Sequence, residues 1–270
     1  LIFGNYLSLM NNRRSFIIGI KSIKLSKKEK AFLRKYKPWG VILFTRNINN
    51  IKQTFHLTSE IRQIFNDKKY PILIDQEGGR VNRLKNIISF DNLTSEFFGK
   101  KYINNYNEFK FYYRLFIDKT SSLLKSIGVN INTSPVLDLR VKGSSNIIGD
   151  RSFSKNPKIV SNIGNYCIQY FRENGIGTVI KHIPGHGLAK VDSHYFTPVI
   201  KKKLNFLVKN DFIAFKNKKV FFAMTAHIIF NQIDNFNTVT HSKKMIKLIR
   251  KKIGFKNILI SDDLSMKSLK

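Results

Sequence analysis

Short apolar runs rich in β-branched residues recur along the 270 residues with helix-like segments between them, and no Pro/Gly/Ser-rich linker divides them. That alternation predicts a parallel sheet covered by helices, because parallel neighbours need long crossovers and are buried on both faces. The strand candidates are Phe16 to Ile20, Gly40 to Phe44, Tyr70 to Asp75, Val129 to Asp138, Gly177 to His182, Val220 to Ala226 and Asn257 to Asp262. Helix candidates fall between them at Ser26 to Tyr36, Ile51 to Phe65, Asn107 to Ser126, Pro157 to Asn174 and Ser242 to Ile253.

Polar or charged residues sit where several of these runs end: Asp75, Asp138, Lys181 with His182, His227 and Asp262. A doubly wound sheet gathers its chemistry at one crevice, whereas a (β/α)8 TIM-type barrel draws it from the C-terminal ends of many strands. The distribution predicts the barrel. A closed barrel needs about eight strands, and the chain stops at Lys270, where the helix after the last strand candidate would begin. The expectation is therefore an α/β barrel lacking its last strand and helix in this chain. Residues 16–270 would form this single domain, and residues 1–15 an N-terminal extension that opens on Leu1 rather than Met.

The densest chemistry lies in Lys181-His182-Ile183-Pro184-Gly185-His186-Gly187, followed by Asp192-Ser193-His194, directly after the apolar run Thr178-Val179-Ile180. So many titratable groups are costly to bury without a purpose. Glycine and proline make the segment a loop at a strand end, where α/β enzymes carry their chemistry. Lys181 and His182 end the strand, and a cation there can fix hydroxyl or carboxylate oxygens. Asp192 and His194 are two residues apart, so the carboxylate can orient the imidazole and stabilise its protonated form, as an acid/base dyad requires. The competing chemistry is a metal site built from His182, His186, His194 and Asp192. Its spacing lacks the His-Glu-x-x-His helical register, and proline and glycine interrupt it, so neither a metal nor another cofactor is expected.

Three further segments carry candidate ligands. In Asp75-Gln76-Glu77-Gly78-Gly79-Arg80-Val81-Asn82-Arg83 the glycines permit a tight turn, while the carboxylate and arginines suit paired hydrogen bonds to a polyhydroxylated ligand. The plainer reading is a strand-end turn whose Asp caps the next element. Gly149-Asp150-Arg151-Ser152-Phe153 is weaker alone, since an arginine in a polar loop is more often a surface ion pair. Ile258 to Ser261 is an apolar strand ending in Asp262 and Asp263, which alternation points in different directions, one to the barrel mouth and one to cap the next helix.

Composition narrows the class of partner. The formal charge of +31, from 48 Lys+Arg against 17 Asp+Glu, raises the prior for a polyanionic partner. The basic residues are spread along the whole chain, with only short clusters such as Lys201-Lys202-Lys203, so solvated lysine faces are expected rather than a nucleic-acid surface. The single cysteine, Cys167, excludes an internal disulfide and falls in a helix candidate, where it reads as a small core residue. The first ten residues are apolar, but Asn11-Asn12-Arg13-Arg14 interrupts them long before a membrane span is reached. A cytoplasmic protein with no membrane partner is expected.

Taken together and in order, these motifs resemble glycoside hydrolase family 3, in its NagZ-type β-N-acetylglucosaminidase branch. The resemblance rests on Gly40 to Asn47, Asp75 to Arg80, Gly149 to Phe153, Lys181 to Gly187, Asp192-Ser193-His194 and Ser261 to Met266, and it runs from about Phe16 to the last residue. It departs from the family pattern at Ile183, Thr225 and Asn257. The resemblance implies a (β/α)8 barrel that removes terminal β-linked N-acetylglucosamine with retention. It implies Asp262 as nucleophile, His194 as acid/base supported by Asp192, and sugar contacts from Asp75, Arg83, Arg151, Lys181 and His182. The implied partner is a small saccharide or muropeptide met by a monomer, in cell-wall recycling. Two other functions compete: a metal-dependent barrel hydrolase, and a barrel that binds polyanions without catalysis.

Overall fold

The computed structural model describes residues 13–193 and 195–269. Most of the extension expected over residues 1–15, and His194 of the expected dyad, lie outside the described residues. The chain groups into two compact units.

The first unit comprises residues 1–76, 82–89 and 119–132. It holds four parallel strands in sequence order: β1 (Arg14–Gly19), β2 (Pro38–Leu43), β3 (Ile72–Ile74) and β4 (Ile131–Asn132). Helix α1 (Lys27–Tyr36) follows β1 and starts on a reciprocal cap, in which Ser26 accepts from Glu29 N and the Glu29 carboxylate accepts from Ser26 N. Helix α2 (Ile51–Phe65) starts on Asn50, whose side chain accepts from Gln53 N. The fully buried strand β3 reads Ile-Leu-Ile, as a strand covered on both faces should. Gly40 is needed where β2 passes β3, since a Cβ there would lie 3.0 Å from Leu73 and 3.1 Å from the Pro71 carbonyl.

The second unit comprises residues 77–81, 90–118 and 133–270. Its parallel strands are β5 (Gly177–Ile183), β7 (Phe222–Thr225) and β9 (Ile258–Ser261), with β7 between the other two. A smaller parallel pair joins β6 (Val199–Ile200) to β8 (Ile229–Phe230). Helices α3 (Ser95–Asn104) and α4 (Tyr106–Ser126) precede β4, and α5 (Pro157–Glu173) precedes β5. Two short helices, α6 (Leu204–Lys209) and α7 (Asp211–Phe215), come before β7, and α8 (Lys243–Leu248) comes before β9. Helix α5 begins with Asn156 as cap and Pro157 in its first turn, and buries Val160, Ile163, Cys167, Ile168 and Phe171. Cys167 belongs to that buried face, and burial pushes its thiol up to about 12, so it is not a nucleophile. No helix among the described residues is long and apolar enough to cross a membrane.

Most expected elements appear within a few residues of their predicted ends. The run Val129 to Asp138 is the main departure, since regular pairing stops after Asn132. Pro135 then removes a donor, and only the bridge from Val136 to Lys181 continues the line.

Candidate active site

In the first unit, the turn after β3 is closed by side-chain amides. Asn132, at the end of β4, accepts from Gln76 N at 2.9 Å and donates to Gln76 O at 2.8 Å. The Gln76 side chain accepts from Arg83 N at 2.9 Å and Leu84 N at 3.2 Å. This folds the segment back on itself, so that the Arg83 guanidinium lies 3.6 Å from the Asp75 carboxylate and 5.8 Å over the Phe44 ring. Asp75 and Arg83, predicted apart in sequence as ligand contacts, are thus one pair.

In the second unit, the end of β5 gathers the remaining cations. The register with β7 slips between Lys181 and Ile183, leaving His182 as the extra residue of a bulge. A regular strand would send Lys181 and His182 to opposite faces, whereas a bulge re-aims side chains at a strand end. Lys181 Nζ reaches Glu77 Oε1 at 2.6 Å and Thr133 Oγ1 at 3.2 Å. Arg151 grips the same carboxylate with both forks, Nε to Oε2 and Nη2 to Oε1, each at 2.8 Å. Burial pushes the Glu77 carboxyl up, but Arg151 and Lys181 outweigh it and hold the group well below the usual carboxylate range.

His182 faces two carboxylates. Its Nδ1 lies 2.6 Å from Asp138 Oδ2, and its Nε2 lies 3.9 Å from Asp262 Oδ2. Asp138 is fully buried and also accepts the His186 backbone N–H at 2.6 Å. Burial works against its charge, and His182 and His186 more than offset that, so the Asp138 carboxyl is lowered. It therefore accepts, the His182 hydrogen sits on Nδ1, and Nε2 is turned towards Asp262.

The two acids after β9 have different surroundings. Asp262 presents Oδ2 to His182 with 23% of its side chain exposed. Asp263 turns away, its Oδ1 accepting from Ser265 N at 2.8 Å and Ser265 Oγ at 2.7 Å. The Asp263 carbonyl lies 3.2 Å from His227 Nε2, while His227 Nδ1 lies 2.8 Å from Thr240 Oγ1. A carbonyl can only accept, so His227 carries its hydrogen on Nε2 and braces the turn that presents Asp262.

Asp192 is half-buried, and its carbonyl accepts from Tyr195 N at 3.1 Å and Phe196 N at 3.0 Å, which makes 192–196 a tight turn. The geometry thus joins Arg151, Lys181, His182 and Asp262 within one unit, and pairs Asp75 with Arg83 within the other. Sequence reasoning passed over Glu77 and Asp138 as site residues, although Asp138 was visible as a polar strand end and Glu77 sits inside a singled-out motif. Among the described residues no group of three or more His, Cys, Asp or Glu side chains is arranged to hold a metal ion.

Acidic side chains converging on a strand-end imidazole, with cations set to meet hydroxyl oxygens, define a class of site that suits sugar chemistry. Residues 12–270 match the family model for the glycosyl hydrolase family 3 N terminal domain. The chain belongs to that family, is a glycoside hydrolase, and has the α/β, (β/α)8-type fold class expected from its strand ends. A β-hexosaminidase of Thioalkalivibrio sulfidiphilus (strain HL-EbGR7) is 31% identical over 254 residues, covering 93% of this chain and 72% of that protein. Native NagZ from Neisseria gonorrhoeae is similar with a TM-score of 0.85 and 28% identity, over 95% of this chain and 75% of that one. Its complex with N-trifluoroacetyl-D-glucosamine matches at 0.84 and 28%, over 94% and 76%. Its complex with zinc ion matches at 0.81 and 27%, over 95% and 76%. The resemblance to the NagZ-type branch drawn from the motifs therefore holds.

Proposed function

We propose that this protein is a retaining exo-β-N-acetylglucosaminidase that hydrolyses terminal β-linked N-acetylglucosamine from muropeptide-type saccharides, acting as a cytoplasmic monomer in peptidoglycan recycling, with residues 16–270 as one catalytic domain. Asp262 is the nucleophile. Its carboxylate attacks the anomeric carbon while His194, oriented by Asp192, gives a proton to the leaving oxygen. His194 then takes a proton from water, which attacks the same carbon and releases Asp262, so the configuration is retained and the residue returns to its first state. Asp75 with Arg83, and Arg151, Lys181 and His182, hold the sugar.

The observation that carries this reading is the approach of His182 Nε2 to Asp262 Oδ2 at 3.9 Å beside the Lys181–Glu77–Arg151 cluster. It supports an accessible carboxylate flanked by donors that sugar hydroxyls can use. Relatives called β-hexosaminidase, and a similar enzyme bound to an N-acylated glucosamine, support the sugar assignment. The test is kinetic. His194→Ala should form a glycosyl-enzyme from an aryl β-N-acetylglucosaminide with an activated leaving group and then stall, with azide partly restoring turnover. Equal losses across leaving groups of very different acidity, with no accumulating intermediate, would remove His194 from the acid/base role. The zinc complex of a similar protein gives the metal-hydrolase reading its one foothold, and a requirement for a stoichiometric divalent ion would favour it.

A further inference from the structure

A chain of buried polar contacts runs from the end of β5 to the loop that carries Asp192, and its members take no part in the proposed bond-making and bond-breaking. Asp138 receives His182 Nδ1 on Oδ2 and the His186 backbone N–H on Oδ1, each at 2.6 Å. The His186 ring packs edge-on to His182 with centroids 5.6 Å apart. From there it reaches Ser193, Nε2 to Oγ at 3.0 Å, with both residues only 3% exposed. Ser193 stands between Asp192 and His194 in the sequence.

Protonation of the His186 ring fixes the sense of that last bond. Burial and the neighbouring His182 push the ring down to about 4, so at neutral pH it is uncharged and carries one hydrogen. Nδ1 is buried and has no hydrogen-bond partner among the described residues. A buried N–H without an acceptor is costlier than a buried acceptor lone pair. The hydrogen therefore belongs on Nε2, which donates to Ser193 Oγ.

The backbone leaves this segment few alternatives. Gly187 passes so close to the chain after Asp138 that a Cβ there would fall 2.1 Å from the Leu139 carbonyl. Ala189 N donates to His186 O at 3.1 Å, and Ser145 N donates to Ala189 O at 2.8 Å. Beyond Ala189 the chain turns back, and Ser193 returns to the His186 ring.

We propose that Asp138, His186 and Ser193 form a positioning tether that sets the 192–194 segment against His182 and Asp262. The inference rests on His194 and Asp192 being the acid/base pair. One buried carboxylate, Asp138, then fixes both the imidazole beside the nucleophile and the loop bearing the proton donor. None of the three touches the reacting atoms; each acts through its neighbour.

Ser193→Ala removes the acceptor, Ser193→Thr keeps the hydroxyl, and both are assayed on aryl β-N-acetylglucosaminides with strongly and weakly acidic phenols. A tether predicts that Ser193→Ala loses about tenfold in kcat/KM on the weakly acidic phenol, the size of one lost hydrogen bond, with little loss on the activated substrate and an unchanged KM. Ser193→Thr should stay close to the parent on both. Combining Ser193→Ala with His186→Gln should lose no more than the larger single change, since both remove one bond. If Ser193→Ala does not fold, as read from its unfolding midpoint, Ser193→Cys keeps the volume, weakens the acceptor and gives the same test. Equal losses on both substrates, a KM rise that accounts for the loss, or additive effects in the double variant would overturn the tether while leaving the proposed function standing. A parent chain with no glycosidase turnover at all would overturn both.

Discussion

Replacing Asp211 by Asn should change the pH dependence of stability more than the stability itself. Asp211 opens α7 and is 2% exposed, with Oδ1 buried and unpartnered among the described residues. It packs under the Pro184-Gly185 turn, where a Cβ on Gly185 would lie 2.9 Å from the Asp211 Cβ. Burial, helped by Asp138 and opposed by a hydrogen bond to its own backbone, raises the carboxyl from its ordinary 3.8 to about 7. A shift of that size corresponds to roughly 4 kcal/mol between the two protonation states. The raised group binds a proton in the folded chain that the unfolded chain has released. Its contribution is therefore fully present below the unfolded value, and it is lost as pH rises through about 7. Asn cannot ionise, so the stability of the variant relative to the parent should climb by about 2 kcal/mol between about pH 5.5 and about pH 8.5. Urea unfolding at the two pH values measures this, and comparing the pH slopes removes any constant offset from packing the amide. A variant whose offset from the parent is the same at both pH values would refute the reasoning, because Asp211 would then ionise in the fold as easily as in the unfolded chain.

The same cluster carries further expectations. Asp262→Ala should abolish release of an aryl leaving group while Asp263→Ala retains measurable turnover, because only Asp262 faces His182; reversed effects would reassign the nucleophile. Glu77→Gln strips the shared anion from Lys181 and Arg151 and should cost roughly 3–5 kcal/mol of stability at neutral pH, together with a raised KM. The Glu77 carboxyl is depressed in the fold, so that loss should begin to shrink as pH falls below about 4.3; a pH-independent loss would point to packing. Chelation should leave activity intact, and loss restored by a stoichiometric divalent ion would move the site to metal chemistry.

How much of this was legible in the sequence depends on the range of the interaction. The parallel strands and long helices could be read because their signals are local: β-branched runs, the Ser26–Glu29 cap, and proline at the start of α5. Helix α3 was missed although Thr94 caps it, because Gly99 reads as a helix breaker. The glycine is there because a Cβ would collide with the Phe153 carbonyl, a residue far along the chain. Glu77 and Asp138 were passed over for a similar reason. Each owes its meaning to partners dozens of residues away, and neither carboxylate reveals from its neighbours in sequence that two cations, or two histidines, will converge on it. Lys181 and His182 were expected on strand-end grounds, but simple alternation could not place both usefully; the bulge that does so is set by the register with β7.

The distribution of charge also separates the functional readings. The chain carries 48 Lys+Arg against 17 Asp+Glu, yet among the described residues Lys181 is the lone buried lysine or arginine, while Glu77, Asp138, Asp211 and Asp234 are buried acids. The excess of positive charge is therefore a surface property, spread over solvated side chains where a lysine costs little. A polyanion-binding site would need the reverse, cations concentrated at the recognition surface. An interior whose carboxylates outnumber its cations instead favours a ligand that becomes positive as it reacts. The oxocarbenium-like transition state of glycoside hydrolysis is such a species. Asp262 would stabilise it directly, and the fixed Asp138 would do so through His182 without having to reorganise at the moment of reaction. The lysine-rich surface and the acid-rich interior are then separate properties, and only the second bears on catalysis.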